Sequence, residues 1–149
     1  MEPLVHVAAF EQLAGRTAYL LWRLRESVFV VEQNCPYLEL DGRDLEEGTR
    51  HLWVEVGAEP VACLRVLTEP DETCRIGRVA VAEPMRGHGL AGALMTKALE
   101  VVGDRASVLD AQAYLADWYT GFGYRVVGTE FVEDGIPHVP MARQATPGV

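Results

Sequence analysis

Apolar positions along the chain repeat with two periods, and the places where the period changes mark the elements. Leu20, Leu21, Leu24, Val28 and Val31 fall at helical spacing and predict an amphipathic helix over Ala14–Val31, after a short strand at Pro3–Phe10. The run Glu32-Gln33-Asn34-Cys35-Pro36-Tyr37 breaks that helix. His51–Gly57 and Pro60–Thr68 predict a hairpin around Gly57-Ala58-Glu59, and Ile76, Val79 and Val81 predict a third strand over Cys74–Ala82. A second helix carries Leu90, Ala93, Leu94, Lys97, Ala98 and Val101 on one face and stops at Gly103. Ala106–Ala111 reads as a strand. Leu115, Trp118, Tyr119 and Phe122 then repeat at i, i+3, i+4, i+7, a short helix that Gly121–Gly123 ends. Tyr124–Val132 and His138–Arg143 close the chain as two strands around Glu133-Asp134-Gly135. Antiparallel strands first, then alternating strands and helices, predict a mixed α/β domain over residues 1–149.

Composition narrows the function classes. With 149 residues, 49% of them apolar and 23% charged, the chain can bury a core, which excludes disorder as its main state. The net charge is −9 and Lys97 is the only lysine, so nucleic acid and anionic membranes are poor partners. No apolar run approaches the roughly 18 residues of a membrane span, and the first residues lack the layout of a signal peptide. Cys35, Cys63 and Cys74 are odd in number and widely spaced, which predicts free thiols in a reducing cytoplasm and neither a disulfide framework nor a metal site. The loop carrying Glu39, Asp41, Asp44, Glu46 and Glu47 against Arg43 reads as solvated surface, or as a lure for a cationic ligand.

The most informative stretch is Val79-Ala80-Val81-Ala82-Glu83-Pro84-Met85-Arg86-Gly87-His88-Gly89-Leu90-Ala91-Gly92, a strand running into a glycine loop that opens a helix. Glycines let backbone approach a ligand closely, and the free amides of a helix N-terminus suit a phosphate. A tight turn with no ligand is the simpler alternative. Gly87, Gly89 and Gly92 also fit the dinucleotide pattern G-x-G-x-x-G, with Asp110 downstream, which would make an oxidoreductase. Four residues separate that loop from its strand, however, and too little chain follows to complete a dinucleotide domain.

Arg86-Gly87-His88-Gly89-Leu90-Ala91 resembles the Arg/Gln-x-x-Gly-x-Gly/Ala signature of the GNAT acyltransferases. Gln112 through Tyr119 to Gly123-Tyr124 resembles that family's second motif, with Gln112, Leu115 and Tyr124 standing where the family has Asn, Ala and Phe. Arg25, Val28–Tyr37, Asp41 and Asp44, with Glu133–His138 and Met141, are similar to the ElaA-like branch. The resemblance implies a central, mostly antiparallel sheet of six to seven strands flanked by about four helices. It implies an acetyl-CoA-dependent N-acetyltransferase whose acceptor is a primary amine, on a small molecule or peptide, attacking directly in a ternary complex. A domain that binds acyl-CoA without turnover keeps the same loop and is the rival reading. Oligomeric state is open between monomer and homodimer.

In that family the glycine loop cradles pyrophosphate and the preceding strand pairs with pantetheine. The resemblance thus implies cofactor contacts from Val79, Ala80, Val81, Arg86, Gly87, His88, Gly89, Leu90, Ala91 and Gln112. Spacing alone makes Tyr119 a core aromatic; the resemblance makes it the general acid toward the CoA sulfur. Two residues compete to be the base: Glu32, where the first helix ends, and His138, whose intrinsic pKa suits proton transfer near neutrality.

Overall fold

The computed structural model describes residues 3–146. An eight-stranded sheet runs in the order β1-β2-β3-β4-β5-β8-β6, with β7 also paired to β8. Its N-terminal half is antiparallel and holds β1 (His6–Ala8), β2 (Arg50–Val56), β3 (Glu59–Thr68) and β4 (Cys74–Val81). The C-terminal half sets β5 (Ser107–Gln112) against β8 (Ile136–Arg143), which also carries β6 (Arg125–Val126) and β7 (Phe131–Glu133). Among the described residues, only β4 and β5 pair in parallel.

The mixed, mostly antiparallel sheet agrees with the sequence, and its strand count rises by division. Tyr124–Val132 forms two short strands because Pro140 lies opposite their junction. The Val127 amide donates to the Pro140 carbonyl, so the proline's missing N–H falls on the same side and cannot continue the ladder. A Cβ at Gly128 would come within 2.7 Å of the Pro140 ring, so only glycine fits there.

Helices cover both faces. α1 (Gly15–Glu26) packs Leu21 and Leu24 on Trp53, Cys63 and Ala80. On the other face α2 (Leu90–Val102) buries Leu94, Met95 and Ala98 against Leu52, Leu64, Val66 and Ile76. Each such leucine or methionine contributes about 1.5–3 kcal/mol. With α3 (Ala116–Thr120) that makes three α-helices among the described residues, and α1 runs on into a π-helical turn at Ser27–Glu32. The wider turn changes the phase of the apolar stripe: Val28 stays buried, whereas Val31 is 70% exposed.

Two irregularities in β4 shape the molecule. Pairing jumps from Arg65↔Gly77 to Cys63↔Ala80, so Arg78 and Val79 together oppose Leu64 in a β-bulge. Alternation inverts across it, with Ile76 facing α2 and Ala80 facing α1. At its other edge β4 meets β5 only at Cys74↔Ser107 and Arg75↔Val108; beyond these pairs the strands diverge.

The acidic loop is only in part the solvated surface its composition suggests: Asp41, Glu46 and Glu47 are exposed, and two other carboxylates turn inward. Glu39 and Asp44 are 6% and 5% exposed. Arg25 of α1, itself buried, donates to both carboxylates, Arg65 of β3 donates to Asp41 and Asp44, and Arg78 of β4 reaches Glu39. Three carboxylates neutralise three guanidiniums, so Asp41 and Asp44 are taken up internally rather than offered to a cationic ligand.

Candidate active site

The divergence of β4 and β5 opens a cleft of about 840 Å³. Val79, Ala80 and Val81 of β4 form one wall and Gln112 of β5 the other; Tyr119 of α3, Glu32 of the π turn and His138 of β8 also line it. A smaller cavity adjoins it at the glycine loop, bounded by Arg86, Gly87, Gly89, Leu90, Ala91 and Trp118. Of the cofactor and catalytic residues named from the sequence, His88 alone lines neither cavity. It is exposed, and its Nδ1 lies 3.2 Å from the Arg86 carbonyl.

The loop leaves its backbone open to the smaller cavity. Gly87 and Gly89 have φ of +81° and +77°, and a Cβ added to either would meet no atom within 4 Å. Conformation and open space, rather than crowding, therefore call for glycine. Gly89 is the N-cap of α2 and supplies no side-chain cap, so the helix begins with amides free to donate. A 3-10 turn at Glu83–Met85 separates the loop from its strand, and a Cβ at Gly92 would meet no atom within 4 Å, so neither the direct strand-to-loop step nor the close helix packing of the dinucleotide arrangement is found here.

Tyr119 is 7% exposed at the cleft wall and packs edge-on against Trp118 and Tyr124. Desolvation pushes its phenol up to about 12, so the hydroxyl keeps its proton at neutral pH. It is thus both the packed aromatic that spacing suggests and a protonated donor beside the cleft.

His138 stacks on Phe131, and its Nδ1 sits 2.7 Å from the Ile136 carbonyl. A carbonyl only accepts, so Nδ1 carries the hydrogen and the neutral ring keeps its lone pair on Nε2. Glu32 is engaged differently: both its oxygens lie 2.8 Å from Arg86 Nη2, while Arg86 Nε donates to the Val81 carbonyl. Two residues expected to serve separate ligands hold each other.

Sequence reasoning passed over Trp118, which lines both cavities, and Arg78, which lines the cleft at the bulge. A signal for the second was present. The step of three from Ile76 to Val79, before the step of two to Val81, is the trace of an inserted residue.

The sequence profile described as "Acetyltransferase (GNAT) domain" matches residues 26–145. Escherichia coli ElaA is 43% identical over 139 residues, spanning 89% of this chain and 91% of that protein. Its crystal structure superposes with a TM-score of 0.90 at 39% identity, covering 95% of this chain and 99% of the other. A UPF0039 protein of Mycobacterium tuberculosis is 47% identical over 137 residues, 89% of this chain and 88% of its own. The crystal structure of an acyl-CoA N-acyltransferase from Pseudomonas aeruginosa gives a TM-score of 0.89 at 36% identity, covering 94% and 99% of the two chains. The chain belongs to the GNAT acetyltransferases, in the ElaA-like branch.

Proposed function

We propose that this acetyltransferase moves an acetyl group from acetyl-CoA to the primary amine of a small molecule or peptide, by direct attack with both substrates bound. The observation that carries the reading is the gap between β4 and β5, bordered by the glycine loop at one end and by Tyr119 and His138 within. Acetyl-CoA supplies the acyl group already activated as a thioester.

Every other contribution comes from the chain. Gly87, Gly89 and the first amides of α2 hold pyrophosphate; His88, Leu90 and Ala91 shape that loop, and Arg86 adds charge beside it. The Val79–Val81 backbone, released from β5, pairs with the pantetheine arm and offers amides to the negative charge that develops on the acyl oxygen. Gln112 borders the same arm from β5. His138, with its lone pair on Nε2, takes the proton from the acceptor amine directly or through one water, while Glu32 is occupied by Arg86. Tyr119 donates to the departing sulfur. Burial that keeps the phenol protonated also raises the proton affinity of a thiolate beside it, so the transfer is matched. Free Cys35, Cys63 and Cys74 suit a reducing compartment, in keeping with a cytoplasmic enzyme.

Thiol release from acetyl-CoA across a panel of primary amines tests the reading. At least one amine should accelerate release over water, and His138→Ala should lower kcat for it by about 10²–10⁴ with little change in Tm. A panel in which no amine accelerates release, with CoA nevertheless raising Tm, would leave a binding domain without transfer.

A further inference from the structure

Five non-glycine residues among those described have positive φ, and four of them, Asn34, Ala58, Glu72 and Asp134, lie in turns or bends. Arg78 is the exception: it sits inside β4 with φ of +55°, at the bulge. A left-handed backbone inside a strand is unfavourable for any residue with a Cβ, and bulges that need one usually place glycine there. Gly77 stands one position away, outside the left-handed region, and the arginine bears the strain.

What holds Arg78 is the loop over residues 39–44. Arg78 Nε lies 2.6 Å from Glu39 Oε1, Nη2 donates to the Glu39 carbonyl at 3.1 Å, and Nη2 is 3.5 Å from Asp41. Glu39 is fixed in turn by Arg25, and Asp41 accepts from Arg65 on β3, the residue paired with Gly77 just before the bulge. One loop therefore grips both strands where their register breaks.

We infer that Arg78 and Glu39 are positioning residues: the loop pulls on the Arg78 side chain, locks the left-handed backbone, and so holds the Val79–Val81 amides toward the cleft. Its kinetic consequence rests on the acyl-transfer reading above; its structural consequence does not. Strain is stored at one residue and offset by buried ion pairs elsewhere.

Arg78→Ala and Arg78→Gly separate this from the alternatives, because both lose the same ion pairs while only glycine accepts the left-handed backbone freely. Both melting temperatures should fall, that of Arg78→Ala further, because alanine also bears the left-handed strain. In the ligand-free protein, the Val79 and Ala80 amide resonances should move in Arg78→Ala and stay near wild type in Arg78→Gly. With the best acceptor amine, Arg78→Ala should lose about tenfold to a hundredfold in kcat, as misplaced positioning groups do, at nearly constant KM for acetyl-CoA. Arg78→Gly should stay within about threefold of wild type, since its amides remain placed. Unmoved amide resonances in Arg78→Ala overturn the proposal. So does an equal loss of kcat in both variants, which would mean that the guanidinium itself acts on substrate. If the resonances behave as stated while wild type turns over no amine, the positioning device stands and the acyl-transfer reading fails.

Discussion

Tyr119 combines two properties that seldom share a side chain: it is closely packed and it lines the cleft. Tyr119→Phe keeps the ring and its contacts with Trp118 and Tyr124, so Tm should hold within a few degrees. Loss of the hydroxyl should lower the single-turnover rate by about 10²–10⁴, the range for a general acid, with KM for acetyl-CoA little changed. A wild-type rate would return the residue to a purely packing role. At this scale the sequence was half legible. Helical spacing placed Tyr119 on an apolar stripe, and no periodicity distinguishes a tyrosine that ends in the core from one whose hydroxyl reaches a cleft wall. Arg25 was more readable than its loop partners. It follows Leu21 by four on the buried face of α1, so a buried cation in need of carboxylates was implied. Which carboxylates answered depends on a loop whose path no spacing rule supplies.

Elements built on local rules were legible and those bent by their neighbours were not. α2 begins where the glycine loop ends and stops at Gly103, as its pattern requires. β4, the π turn and the divided β6–β7 region each depart from regular spacing, and the last does so for a reason lying in another strand, Pro140 of β8. The glycine loop carries the prediction of this scale. Gly89→Asp puts an anion where phosphate is proposed to sit, at a φ of +77° that aspartate tolerates better than most residues, so the fold should survive. Wild type should gain about 2.7 kcal/mol from CoA at a hundredfold excess over Kd, and the variant should lose most of that gain. Thermal-shift titration reads the difference. An equal shift in both proteins would place the ligand elsewhere.

For the whole molecule, Asp41 and Asp44 of the internal charge cluster shape the response to acid, against the opposite pull of Glu39, whose carboxyl burial pushes up. Burial pushes the Asp44 carboxyl up, but bonds from Arg25 and Arg65 more than offset it and hold it below its ordinary value; the Arg65 bonds hold Asp41 far lower. Both groups release protons more readily folded than unfolded, so their stabilisation is present above about pH 4 and is lost as pH falls further. His51 acts earlier. It is 2% exposed, donates from Nε2 to the Asp44 carbonyl and packs edge-on against Trp22. Burial lowers its pKa from the ordinary 6.5, so the unfolded chain binds a proton first and stability drops as pH falls below that value. Tm should therefore fall in two stages, below about 6.5 and again below about 4. His51→Gln should flatten the first stage and keep the second. An undiminished first stage in that variant would move its origin to another group.

The seam between β4 and β5 is also a boundary in time. β1–β4 occupy residues 6–81 and β5–β8 residues 107–143, and the two blocks share only two paired positions across the seam. A ribosome delivering the N-terminus first makes every residue of one block before any residue of the other exists. The cleft between the blocks therefore comes into being only when the last segment docks. A small molecule held between the two blocks can stabilise finished chains alone, which would make it a check on completeness rather than a scaffold for assembly.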